Sequence, residues 1–318
     1  QRQLALFALL VVLLGLMLLS CVLIADVSKM MLDYFGSKHF HPFVFCCQFA
    51  SAVLFLGLFL QIAPHIIAAL ISQTTHEGFV EFNWASLFEF LNGSMGYILL
   101  LPAMGVLSVI ISDHTKKDFR FARLFTISIS LLVVVGYFKF SIDYLEASFQ
   151  LLNTIEQVAL GLPPIVLMMA IIRNLRYPLK KKTTALYFAM MSIPMFSLGA
   201  ISGIALLIPT FAHVAQDSSY AAAHLHYLLA PGALFTLIGG AYHYYPKIRG
   251  RALDDVLGKL HFWLSIIAIN SVFLPMLVQG LFPLTDLSYL MFCASVALFM
   301  SQFLFIANIF KTEFSRQP

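Results

Sequence analysis

The chain has 318 residues, of which 60% are hydrophobic and 11% charged, where a soluble domain carries about 25% charged residues. That composition excludes a soluble globule and implies a polytopic membrane protein. The net charge of +4 is small and spread over loops, so no nucleic-acid surface is expected.

Nine apolar spans are expected, at 4–25, 42–72, 86–112, 122–145, 150–173, 184–210, 221–246, 258–281 and 286–310. Each is long enough to cross a bilayer, and Pro64 is expected to kink the long second one. None shows the alternation of a strand, so the fold class is all-α, a membrane helical bundle in one transmembrane domain over 1–318. The first span has no small-residue cleavage site and reads as a transmembrane helix rather than a signal peptide. Cys21, Cys46, Cys47 and Cys293 lie in or beside apolar spans without a CxxC pair, and read as small buried hydrophobes.

Basic residues follow the odd spans: Lys29 and Lys38, then Lys116 to Arg123, Arg173 to Lys182, Lys247 to Lys259, and Lys311 with Arg316. The loops after even spans carry acids instead, at Glu77, Glu81, Glu146 and Asp217. Of the 19 basic residues only Arg2 and Lys139 break the pattern. The positive-inside rule then puts the N-terminus outside and the C-terminus inside.

Ala223-His224-Leu225-His226-Tyr227 opens the seventh span. Histidine inside a membrane span needs a reason. On a helix, positions i and i+2 are about 200° apart. The pair therefore cannot easily serve one metal, but it can serve two sites, one on each side of the helix.

From the third span onward the chain resembles subunit I of the haem-copper (cytochrome c) oxidases. The stretch AHLHYLLAPGALFTLIGGAYHYYPKIRGRALDDVLGKLHFWLSIIAINSVFLP, Ala223 to Pro275, is similar to that family's tenth and eleventh helices. Leu87-Phe88-x-Phe90 followed by Tyr97 and Leu99-Leu100-Leu101-Pro102 is similar to its sixth. The nine spans then correspond to the family's fourth to twelfth helices, and the orientation read from charge agrees. Counterparts of the first three are expected to be lost, to lie outside this sequence, or to be supplied by a partner. The resemblance implies that His224 ligates the high-spin haem and His226 the low-spin haem. The second ligand of the low-spin haem comes from the family's second helix.

Elsewhere the resemblance breaks. The copper ligand of the sixth helix falls at Gly93, with Met95 in place of the Glu and only Tyr97 kept. The His-His pair of the seventh helix is replaced by Phe138 and Lys139. The proton-channel Lys aligns with Leu167, and the Arg pair that clamps the haem propionates falls near Leu284–Leu287. His41-Pro42-Phe43-Val44-Phe45 imitates the copper motif, but one span too early and without a His-His pair to follow. Asp217 matches a magnesium-binding Asp, although the preceding His is Gln216. Lys139 reads either as a residue snorkelling to the outer interface or pairing with Asp143, or as a cation in the vacated copper position held by Glu156. His243 and His261 read as packing or interface residues rather than ligands.

Two functions stay open on these residues. One is a structural or accessory membrane subunit of a respiratory or related redox complex, not itself reducing dioxygen, with no copper. The other is a haem-binding electron-transfer or terminal oxidase subunit using His224, His226 or both. Its partners are expected to be other membrane subunits and the lipid bilayer. A bacterial cytoplasmic membrane and a mitochondrial inner membrane fit equally.

Overall fold

The structure is a computed structural model. It describes residues 2–34, 53, 57, 62–64, 66–71, 84–117, 124, 127, 128, 131, 134, 165, 166, 168–173, 175–178, 182–206, 208–215, 218–282 and 286–314. All the regular structure among them is helical. We label α1 Arg2–Tyr34, α2 Trp84–Thr115, α3 Thr184–Ala205, α4 Pro209–Ala215, α5 Ser219–Tyr227, α6 Phe235–Arg249, α7 Asp255–Gln279 and α8 Ser288–Phe314. A π-helical segment, Leu228–Leu234, joins α5 to α6 without a break.

Four of these stretches are long and apolar enough to cross a membrane: α3, the continuous Ser219–Arg249 rod, α7 and α8. They correspond to the sixth to ninth expected spans. The second, fourth and fifth expected spans lie largely outside the described residues. The sixth ends earlier than composition suggests, at Ala205, and the short α4 follows.

The chain forms two compact units, residues 1–105 with 121–167, and residues 106–120 with 168–318. In the first, Leu6 and Leu13 of α1 pack with Ile62, Ile66 and Ala69. The seven-residue step from Leu6 to Leu13 puts both on one stripe of the helix.

The second unit holds the helices α3 to α8. Its centre is Phe188 of α3, whose ring meets Phe235 edge-on at 5.3 Å, Phe262 edge-on at 5.2 Å and Tyr242 stacked at 5.9 Å. Lipid tails are as apolar as these rings, so close packing rather than water exclusion holds them. Aromatic pairs of this geometry contribute about 0.5–1.5 kcal/mol each beyond area burial.

The buried positions of α8 are Ala294, Ser301 and Asn308, a strict seven-residue step of small or polar residues. This seam lies on α7: Ser265 and Ser301 share a hydroxyl hydrogen bond of 2.8 Å, and Asn308 binds the backbone at Asp254. The opposite side of α8 exposes Phe292, Phe299, Phe303 and Phe310, as a lipid-facing surface requires.

Helix ends are set by side-chain caps. Thr183, Ser218 and Asp254 accept the first free N–H groups of α3, α5 and α7. Gly250 ends α6 at φ 70°, a left-handed conformation that glycine adopts without strain. Pro231 lacks an N–H for the normal i→i−4 bond, and the chain widens here, with Phe235 N–H closing on Ala230 O five residues back.

The ends of α6, α7 and α8 are joined by polar contacts. Arg249 grips Glu313 with two bonds of 2.8 and 2.9 Å, and Tyr245 donates to the same carboxylate at 2.5 Å. Lys311 donates to Asp254. That ammonium, together with the N–H groups of Leu257 and Val256, holds the Asp254 carboxyl below its ordinary value of 3.8. A lowered carboxyl favours the folded state only while ionised. Its contribution is complete above the ordinary value and disappears as pH falls through the lower folded value. Below about pH 4, Asp254→Asn is therefore expected to unfold in detergent with a shallower acid dependence than wild type. Equal slopes for the two proteins would show that Asp254 carries no such linkage.

Candidate functional site: two histidines on one helix

α5 is a nine-residue wedge between α3 and α7. Tyr220, His224 and Leu228, four residues apart, face α3. Tyr220 donates to Ser202 O at 3.1 Å, His224 Nδ1 lies 2.8 Å from Gly199 O, and Leu228 packs on Gly199. The other side faces α7. Ser219 donates to Met276 O at 2.9 Å, Tyr227 donates to Asn270 Oδ1 at 3.1 Å, and His226 stacks on Phe273 at 4.6 Å. The two imidazoles thus have different neighbours, as a 3.6-residue period demands.

The hydrogen bonds fix the tautomers. A backbone carbonyl can only accept, so His224 Nδ1 carries the proton it donates to Gly199 O. His226 Nδ1 donates in the same way to Ala222 O at 2.7 Å. In the neutral ring each Nε2 then keeps its lone pair, and among the described residues no hydrogen bond reaches either one. An imidazole anchored through Nδ1–H to a carbonyl, with Nε2 available, is the usual state of a metal-ligating histidine. His224 is half-buried, whereas His226 is exposed.

Two glycines of α3 make room for this packing. A Cβ on Gly203 would lie 2.5 Å from His224 Cε1, and one on Gly199 would lie 2.7 Å from Leu228 Cδ2. Gly199-x-x-x-Gly203 is thus a small-xxx-small contact that lets α3 and α5 approach closely. Sequence reasoning passed over it, although the spacing is visible in the chain. Ser202 was missed as well. Its hydroxyl donates to Gly199 O at 2.9 Å and lies 3.2 Å from His224 Nδ1.

The remaining expected residues fall elsewhere. Gly93 lies within α2, in the part whose side chains are outside the description, as are those of Met95 and Tyr97. Phe138, Lys139, Glu156, Leu167, Asp217 and His41 lie outside the described residues. His243 Nε2 meets Asp113 Oδ2 at 2.9 Å, and Lys247 Nζ lies 2.8 Å from each of those two atoms. His261 is fully buried, with Nδ1 3.1 Å from the Tyr242 hydroxyl. Both sit in polar contacts between helices. Among the described residues no group of three His, Cys, Asp or Glu side chains is placed to hold a metal ion.

One neutral imidazole at His224 suits haem iron, which takes a single proximal histidine in many proteins. His226 offers the same donor on the other side, where a six-coordinate iron would need a second ligand that the described residues do not supply.

The family described as cytochrome c and quinol oxidase polypeptide I matches residues 1–311. Cytochrome c oxidase subunit 1 of Thermostichus vulcanus is 33% identical over 201 residues, 61% of this chain and 36% of that protein. The Candida albicans cytochrome c oxidase subunit 1 is 26% identical over 250 residues, 73% and 47% of the two chains. Quinol oxidase subunit 1 of Bacillus subtilis is 27% identical over 212 residues, 65% and 33%. This chain therefore spans less than half the length of these relatives. A solved haem-copper terminal oxidase dimer has the same fold with a TM-score of 0.67, at 15% identity, covering 87% of this chain and 57% of that one. The chain is an integral membrane protein, and it belongs to the cytochrome c and quinol oxidase polypeptide I family.

Proposed function

We propose that this chain is a haem-holding membrane subunit of a respiratory redox complex, and that it does not itself reduce dioxygen. The observation that carries the haem reading is the anchoring of His224. Its Nδ1–H is fixed on Gly199 O at 2.8 Å and its ring lies over the bare Cα of Gly203, so Nε2 is the ligating atom. A haem bound there supplies one-electron exchange. The chain's own part is to hold the imidazole neutral, in one tautomer and one orientation.

Against dioxygen reduction stand Gly93, Phe138 and Lys139 in the copper-ligand positions. Copper favours imidazole ligands, and none of these three side chains replaces one. Lys139 would put a cation in the vacated copper position with Glu156 as its partner, or would instead snorkel to the outer interface or pair with Asp143. A lipid-facing placement of Lys139 would remove that part of the reading.

A second reading is favoured by Leu167 and Leu284–Leu287, where the channel Lys and the propionate-clamping Arg pair of the resemblance are replaced. In it the same bundle is an accessory scaffold without haem. Under either reading the chain forms one transmembrane domain beside other membrane subunits, N-terminus outside, in a bacterial cytoplasmic or mitochondrial inner membrane.

The absorption spectrum of the purified complex separates the two. The expected result is a haem band that His224→Ala removes, with His226→Ala lowering any six-coordinate component, and no stoichiometric copper. Haem content unchanged in both variants would leave the scaffold reading. Stoichiometric copper on this chain would overturn the exclusion of dioxygen chemistry.

A further inference from the structure

The carbonyl of Gly199 serves more donors than it has lone pairs. It accepts from His224 Nδ1–H at 2.8 Å and from Ser202 Oγ–H at 2.9 Å; Ser202 Oγ also lies 3.2 Å from Nδ1 as a second acceptor of the same N–H, but the shorter carbonyl bond is the stronger of the two. The α-helical pattern adds the backbone N–H four residues on. A carbonyl oxygen has two lone pairs, so these donors compete. Ser202 is 3% exposed, so its hydroxyl has no water to turn to. Tyr220, one turn before His224, donates to Ser202 O and ties this turn of α3 to the helix that carries the ligand. The electron-donating power of an imidazole through Nε2 rises as its Nδ1–H bond strengthens.

We propose that Ser202 is a positioning residue that sets the donor strength of His224: its hydroxyl draws on the Gly199 carbonyl, weakens the Nδ1–H bond, and makes Nε2 a softer ligand for haem iron. The proposal rests on the haem reading above. In Ser202→Ala the carbonyl turns wholly to His224, the imidazole gains imidazolate character, and the ferric state is favoured.

The test is resonance Raman spectroscopy of the ferrous complex, with a redox titration of the same preparation. Ser202→Ala should move the iron–histidine stretching band to higher frequency and the midpoint potential to a lower value. Ser202→Thr keeps the hydroxyl and should return both to wild type. If the alanine variant fails to fold, Ser202→Cys, whose thiol is a weaker donor, should shift the band in the same direction. A band and potential unchanged without the hydroxyl, while His224→Ala still removes the haem, would overturn the role of Ser202 and leave the haem reading standing. Should no haem band in the wild type depend on His224, both fall together. Lower haem content with an unmoved band marks a structural role only, and also overturns the proposal.

Discussion

Gly203→Ala is expected to abolish haem at His224 while leaving the bundle folded. The new Cβ would sit 2.5 Å from His224 Cε1, 3.2 Å from Nε2 and 3.3 Å from Nδ1. Carbon atoms in contact are normally about 3.5–4.0 Å apart, and an imidazole ring cannot bend. The ring must swing about χ1, which takes Nδ1 off Gly199 O and turns Nε2 away from its position. The fold itself is much less exposed. Overpacking costs about 1–3 kcal/mol, and alanine regains about 1 kcal/mol over glycine inside a helix. Haem content should therefore fall to that of His224→Ala, while the thermal unfolding midpoint shifts little. Gly199→Ala crowds Leu228 instead, at 2.7 Å from Cδ2, 2.8 Å from Cγ and 3.1 Å from the backbone N, so it tests overpacking against α5 without a direct contact on His224. A Gly203→Ala protein with full haem that still requires His224 would refute the packing argument.

The contrast between these two glycines also shows what the sequence could and could not disclose. Composition and the periodicity of apolar runs were enough for an all-helical membrane bundle, because lipid admits only helices or closed barrels. The opposite aspects of His224 and His226 followed from the 3.6-residue period alone. What the two rings touch did not follow. That depends on α3 lying against one side of α5 and α7 against the other, a long-range pairing that no local pattern encodes. The Gly199-x-x-x-Gly203 spacing was a usable sign of close helix approach, yet only the placement of α5 shows which residue enters the gap. Ser202 was less legible still. A serine in an apolar helix is usually bonded to its own backbone, as Ser192 and Ser197 are here, and nothing in the sequence separates Ser202 from them. The end of α6 was partly legible. Gly250 after Lys247 and Arg249 is a helix stop, but the pairing of Arg249 with Glu313 joins residues 64 apart in the chain.

The second large effect is expected at Asn308, far from the histidines. Asn308 is fully buried, and its amide forms a reciprocal pair with the backbone of Asp254. It accepts from Asp254 N–H at 2.9 Å and donates to Asp254 O at 2.9 Å. Those two bonds fix the start of α7 against the last turns of α8. The Asp254 carbonyl has a second partner in Gly258 N–H at 3.0 Å, so it tolerates the loss. The Asp254 N–H has none among the described residues, and a donor covered by an apolar side chain and left unpaired costs about 1–3 kcal/mol even at a partly buried residue. Asn308→Leu, similar in size, is accordingly expected to lose about 2 kcal/mol in reversible unfolding from mixed micelles. Lys311→Met, which removes the ion pair to the same Asp254, should lose less than about 1 kcal/mol because both charges are partly solvated. Charge dominates this end of the bundle by count, but the buried amide governs its stability. If the lysine variant proves as destabilised as the asparagine variant, that order is wrong and the surface pair is the stronger fastening.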